Sequence, residues 1–191
     1  MSKRILALML VLCLMMGMIP AVSAATSGTC GPNLNWSYNA DTATLTISGS
    51  GEMTDFLTDT SKPIPWSGLE FETRNLVVKQ GVTTLGTCAF QNFGELTSVE
   101  LPDSLVKIGE RTFEGCYALR SIDLPDSITT VGNYAFENAG LTEVRIPEGV
   151  RELNSGAFMN CESLKDVTFP DGLELIGMEA FRGCTALSRG A

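Results

Sequence analysis

The side chains able to do chemistry fall into two recurrent sets. Cys116, Cys161 and Cys184 share one phase of a repeating spacing, and Asp103, Asp126, Glu148 and Asp171 each follow a proline at intervals of 22 or 23 residues. Thiols in such an array suggest a metal site or a disulfide; carboxylates suggest calcium ligands or a pair that splits glycosidic bonds. The 191 residues contain no histidine. The usual general base near neutral pH is therefore missing, and Ser/His/Asp and Cys/His nucleophile systems are excluded.

A structural metal site needs ligands that converge at C-x-x-C or histidine spacing, which single cysteines at a period of 23 do not supply. Phe93 fills the cysteine position in the first unit, so the slot is expected to be apolar, with Cys acting as a small hydrophobe. Removing the leader leaves Cys30, Cys88, Cys116, Cys161 and Cys184, an odd number, so at least one has no intramolecular disulfide partner. Cys161 and Cys184 should stack about 4.8 Å apart, within the Cα range of a disulfide though with strained parallel side chains. Cys30 with Cys88 is the other pair open. For the acids, the turn after proline itself favours Asp and no D-x-D-x-D-G loop occurs, so a turn role outweighs calcium. Carboxylates on a solvated ladder also lack the enclosed pocket that shifts a pKa. Neither an enzyme nor a cofactor nor a metal is expected.

These positions are set by a repeat. Residues 101–123 read LPDSLVKIGERTFEGCYALRSID, followed by LPDSITTVGNYAFENAGLTEVR (124–145) and IPEGVRELNSGAFMNCESLKDVT (146–168); a degraded copy precedes them at 78–100 and an interrupted one follows at 169–191. Five tandem units with a period of 23, shortened to 22 in the third, are the signature of a solenoid. Phe90, Phe113, Phe136, Phe158 and Phe181 take one unit position, so stacking should place them in one interior column, each worth roughly 2 to 3 kcal/mol of burial.

In each opening strand, the spacing Leu119-x-x-Ile122-x-Leu124 sends Ile122 and Leu124 inward and Ser121 and Asp123 outward. Pro125-Asp126-Ser127, Pro147-Glu148-Gly149 and Pro170-Asp171-Gly172 supply the turn that follows. A second apolar alternation ends at Gly86, Gly109, Gly132, Asn154 and Gly177. Because Gly and Asn both tolerate positive φ, a left-handed corner is expected there. G-x-x-A-F then leads into six residues with room for one helical or 3₁₀ turn.

At these residues the chain resembles the bacterial BspA-type leucine-rich-repeat proteins, whose units read roughly L-P-x-S-V-x-x-I-G-x-x-A-F-x-x-C-x-x-L-x-x-I; the match covers Val78 to about Leu187. The resemblance implies a secreted or surface protein that works by protein–protein contact, in a binding or adhesion role.

The first residues carry Lys3 and Arg4, an apolar run from Ile5 to Ile19 and a small-residue end at Val22-Ser23-Ala24. Residues 1–24 are read as a secretory signal peptide. The apolar run is shorter than the roughly 20 residues of a spanning helix, and Leu12 before Cys13 does not suit lipidation. No later segment is apolar enough to cross a bilayer, which places the mature chain outside the cytoplasm. Without Lys3 and Arg4, 11 of the 13 basic residues remain against 22 acidic ones, a net charge of −11. That excess of acid argues against nucleic acid, whose phosphates demand Lys and Arg.

Residues 25–75 lack the repeat. Leu34, Trp36 and Tyr38 alternate with polar residues, as do Leu45 and Ile47 beyond the turn at Asn39 to Asp41. This predicts a hairpin that caps the apolar end of the first unit, and the segment also resembles the module preceding the repeats in many family members.

The expected fold is a right-handed leucine-rich-repeat solenoid of five units over 76–191, the last incomplete, behind an N-terminal β-hairpin cap. The expected function is extracellular protein binding through the outward ladder of Ser98, Glu100, Ser121, Asp123, Glu143, Arg145, Asp166 and Thr168. A structural spacer or cell-envelope module, or a fragment of a longer repeat protein, without a ligand of its own, is the alternative. A carbohydrate-binding module is disfavoured because no exposed aromatic platform can be read from the repeats. Leu187 opens a strand whose apolar continuation is missing, so the expectation is either a fragment of a longer repeat protein or a C-terminal edge that frays or pairs with another chain.

Overall fold

The computed structural model describes residues 26–56 and 63–187; the leader read at 1–24 lies outside them. The first three strands, β1 (Ser27–Gly31), β2 (Leu34–Asn39) and β3 (Thr44–Gly49), pair antiparallel in order, with apolar residues alternating along β2 and β3. Trp36 stands opposite Ile47, and Tyr38 opposite Leu45. Short strands follow: β4 (Gly51–Glu52), β5 (Asn75–Val78), β6 (Val82–Leu85), β7 (Ser98–Glu100), β8 (Lys107–Ile108) and β9 (Thr130–Val131). The series ends with β10 (Glu143–Arg145), β11 (Glu152–Leu153), β12 (Asp166–Thr168) and β13 (Leu175–Ile176). Among the described residues there is no helix, and the segment after each G-x-x-A-F is built from turns.

Two parallel ladders climb the stack. The first joins β3 to β5 and β7, then resumes as β10 with β12; the second joins β4, β6, β8 and β9, then β11 with β13. Their registers repeat the sequence period: Asn75 lies beside Ser98, Lys107 beside Thr130 and Glu143 beside Asp166. Turn serines add rungs of their own, Ser127 Oγ donating to the Leu105 carbonyl at 2.6 Å and Ser104 Oγ to that of Val82 at 2.8 Å.

The five phenylalanines form one column. Successive ring centroids are 5.6, 5.4, 5.2 and 5.5 Å apart, with interplanar angles of 21° or less. Beside them Phe93, Cys116, Ala139 and Cys161 occupy the shared apolar slot and belong to the core. The thiols donate to backbone rather than to ligands: Cys116 Sγ to the Phe90 carbonyl (3.4 Å), Cys161 to Phe136 (3.1 Å) and Cys184 to Phe158 (3.1 Å). All five cysteines among the described residues are free, so neither disulfide weighed from the sequence forms. Burial pushes the Cys30 thiol up to about 12 and raises Cys116 as well. Such thiols do not ionise near neutral pH.

The backbone amides of the Phe turn hold the units together. Cys88, Phe90 and Asn92 donate to the Glu110, Thr112 and Glu114 carbonyls of the next unit at 2.9, 3.0 and 2.7 Å. Arg111, Phe113 and Gly115 do the same to Asn133, Ala135 and Glu137. Every second amide thus leaves its own unit, which requires an alternating backbone. Positive φ falls at Cys88, Arg111, Tyr134, Gly156 and Glu179, and again at Asn92, Gly115, Asn138, Asn160 and Gly183.

The corner expected at Gly86, Gly109, Gly132, Asn154 and Gly177 is not left-handed. Glycine is needed there for space, since a Cβ on Gly132 would lie 2.6 Å from Glu110 N and one on Gly109 2.7 Å from Thr87 N. Asn154 is accommodated by turning its amide onto the Val131 carbonyl at 2.6 Å.

The two ends differ. At the N-terminal end the Phe56 amide donates to the Thr87 carbonyl (2.9 Å) and the Trp66 indole to that of Ala89 (2.8 Å). At the other end Phe169, Leu175, Ile176 and Met178 are exposed. There the Glu179, Phe181 and Gly183 amides make no hydrogen bond among the described residues. Phe169, which the strand spacing sends inward, meets Phe181 of the column edge-on at 5.8 Å yet remains exposed.

Candidate interaction surface

Strand alternation sets the outward face. Ser98 and Glu100 of β7, Glu143 and Arg145 of β10, and Asp166 and Thr168 of β12 are all exposed, with Val144 buried and Val99 and Val167 half-buried between them. Ser121 and Asp123 are exposed on either side of buried Ile122 but belong to no paired strand. The ladder expected to run unbroken is interrupted here. Thr142 N still reaches the Arg120 carbonyl at 2.9 Å, yet 121–123 enters no register with β7 or β10.

Two grooves adjoin at this break. One, of about 450 Å³, runs from Glu100 and Asp103 to Asp126; the other, of about 340 Å³, runs from Ser121 to Asp166 and Thr168. Asp123 and Arg145 line both. Arg145 reaches back from β10, its Nη1 2.7 Å from Asp126 Oδ1 and its Nη2 donating to the Leu124 carbonyl at 3.3 Å. That bond, helped by the Glu148 amide, holds the Asp126 carboxyl below the usual carboxylate range. The same bond raises the Arg145 guanidinium further. Both partners are exposed, so the pair contributes little stability and mainly fixes where the charge sits.

Arg145 is the one cation among residues lining the grooves, against Glu100, Asp103, Asp123, Asp126, Glu143 and Asp166. The surface is negative and carries no aromatic side chain. Asp126 is committed to Arg145 and the Glu148 amide, as a turn residue would be. Among the described residues no three Cys, Asp or Glu side chains converge as a metal site. The repeat reading passed over Tyr117, which is 60% exposed and lies in the turns after Phe113, away from the ladder.

Strand-and-turn units stacked on parallel ladders around a phenylalanine column define a leucine-rich-repeat protein. The BspA type leucine rich repeat region matches residues 70–188 in six copies; the chain therefore belongs to the BspA-type leucine-rich-repeat family. The six copies are one more than the five units read from the 23-residue period. Members of this family are generally surface modules for protein interaction.

The chain is similar to a leucine-rich repeat protein of Bacteroides ovatus, at 28% identity and a TM-score of 0.62, over 82% of this chain and 45% of that one. It is similar also to a leucine rich cell surface protein of Faecalibacterium prausnitzii, at 26% identity and a TM-score of 0.58, over 88% of this chain and 55% of that one. A Treponema pallidum leucine rich repeat protein, 22% identical with a TM-score of 0.53 over 84% of this chain and 91% of that one, shares the fold. The chain thus spans about half the length of the first two. No curated protein compared with it matches.

Proposed function

We propose that this chain is a secreted or cell-surface, non-enzymatic module that binds an extracellular protein through its outward strand face. Residues 25–75 are read as its cap and 76–191 as five right-handed units, the last incomplete. The observation that carries the reading is the pair of adjoining grooves that share Asp123 and Arg145 on an exposed face. Their acidity favours a basic patch on a matrix or bacterial-surface protein. Without an aromatic anchor, affinity is expected to be modest and salt-dependent.

The test is binding of the parent chain and of an Asp123→Lys, Glu143→Lys double variant to immobilised matrix proteins and to bacterial surfaces. The reading expects the parent to bind and charge reversal to weaken that binding. Unchanged binding in the variant would remove the proposed site.

A structural spacer is the second reading, and the uncovered apolar face around Phe169, Ile176 and Met178 favours it. The free edges of β12 and β13 would then serve assembly, with self-association as one form. Binding to surface proteins separates these readings, since a chain with no detectable partner favours the spacer, and sedimentation across a concentration series tests its self-association.

A further inference from the structure

The third unit is one residue short, and the loss leaves a notch. From the column phenylalanine to the next strand's leucine the chain takes six steps in Phe113 to Leu119 and Phe158 to Leu164, but five in Phe136 to Leu141. Where the loop has full length, a backbone bond crosses between units, as from Ala118 N to the Gly94 carbonyl and from Ala186 N to that of Glu162, both 3.2 Å. Ser163 N is the corresponding donor in the fourth unit, and it makes no such bond to the shortened third unit. Among the described residues neither Ser163 N–H nor the Tyr117 carbonyl makes a hydrogen bond.

Gly140 N turns instead to the Cys116 carbonyl at 3.1 Å. Arg120 reaches across the gap, its Nη1 donating to the Gly140 carbonyl at 3.1 Å and to Ser163 Oγ at 3.3 Å.

The resulting notch holds about 230 Å³ and is walled by Tyr117, Arg120, Asn138, Asn160, Glu162 and Ser163. Tyr117 keeps most of its ring exposed while the ring edge lies over Gly94. The Asn138 and Asn160 carboxamides make no hydrogen bond among the described residues, and both residues sit at φ 57°. Donors and acceptors therefore share the notch lining with an exposed tyrosine.

Each simple ligand class leaves something unsatisfied. An aliphatic group leaves Ser163 N–H and the Tyr117 carbonyl without partners, an anion meets Glu162, and a cation meets Arg120. A hydroxyl both donates and accepts, and a pyranose adds a C–H face that packs on tyrosine. The notch is smaller than the roughly 300 to 1,000 Å³ of cavities for drug-sized ligands, which suits a single ring. We infer that the notch binds one pyranose residue of a carbohydrate. This site is separate from the strand face and does not rest on the reading of that face.

The test is a titration of the ¹⁵N-labelled chain with methyl pyranosides of glucose, galactose, mannose, xylose, fucose and N-acetylglucosamine. At least one should move the Ser163, Gly140 and Asn160 amides saturably, at the millimolar strength of a small monovalent ligand, about −4 kcal/mol. Tyr117→Ala, a change at an exposed side chain, should weaken that response about tenfold or more. Inserting one residue between Ala139 and Gly140 should abolish it. Silence of those amides toward every glycoside would overturn the assignment. So would an unchanged affinity in Tyr117→Ala, or movement of the same amides by acetate or methylguanidinium in place of the sugars.

Discussion

The Trp66 indole N–H donates to the Ala89 carbonyl at 2.8 Å while its ring stacks on Phe90, centroids 5.5 Å apart and 11° from parallel. Between any two later units a phenylalanine ring supplies the stack and its own amide supplies the bond, as Phe90 does for Phe113 and Thr112. Trp66 supplies both from one side chain and so stands in for the phenylalanine of a preceding unit. Trp66→Phe keeps a ring but strands a buried carbonyl, which is expected to cost about 1 to 3 kcal/mol. Trp66→Ala also empties the site, at about 3 to 5 kcal/mol. Guanidinium titration of both variants checks this, and parental stability in Trp66→Phe would sink this account of Trp66.

Phe136 is fully buried between Phe113 and Phe158, at 5.4 and 5.2 Å. Its stacking neighbours belong to separate units and cannot easily close over a gap, so Phe136→Ala is expected to cost about 3 to 5 kcal/mol. Phe181, half-buried at the open end, should cost less than half as much when truncated. A loss below about 1 kcal/mol at Phe136 would remove the column from the energetic account.

Asn138 has φ 57°, and Gly115 and Gly183 hold the corresponding place in the second and fifth units at 72° and 78°. Asn138→Gly is expected to stay within about 0.5 kcal/mol of the parent, and Asn138→Val to lose about 1 to 2 kcal/mol to left-handed strain. At Asn154 the order changes: Asn154→Gly loses the bond to the Val131 carbonyl and with it about 0.5 to 1.5 kcal/mol. Thermal melts of the three variants decide the matter. Equal stability of Asn138→Gly and Asn138→Val would contradict a left-handed corner at 138.

The Asp126 carboxyl is held below the ordinary range by Arg145, which fixes the sign of its pH dependence. A depressed folded value means the contact is fully present above the unfolded value of about 3.9 and is lost as pH falls through the lower folded one. The Arg145 side-chain NMR signals should therefore titrate with a midpoint below about 3.9. In Asp126→Asn that step should vanish. A midpoint at or above the unfolded value would mean that the ion pair does not persist in solution.

Much of this was legible because identical residue types recur at one spacing. The phenylalanine column, the Phe93 and Cys116 slot and the proline turns follow from position alone. The left-handed corner was misplaced for a physical reason: Gly109 and Gly132 look like conformational glycines, yet they are there because a neighbouring backbone leaves no room for a Cβ. The true corners include Cys88, Arg111, Tyr134 and Glu179, types that advertise nothing and are forced into place by the amides that cross between units. The Asn and Gly alternation at 92, 115, 138, 160 and 183 was readable and was passed over. The break at 121–123 was not, because Leu119, Ile122 and Leu124 keep the full strand pattern. The notch was half visible, since the 22-residue third unit announces a missing residue but not the exposure of Tyr117.

The amides that leave each unit for the next point along the long axis of the stack. Tension applied between the cap and the last repeat therefore loads these rungs one after another, and not all together as in a sheared sheet. The chain should yield as a zip fastener yields, in steps of one unit, each releasing about 76 to 83 Å of extended polypeptide for 23 residues. A protein pulled between two surfaces by flow would then lengthen by stages before its remaining units gave way.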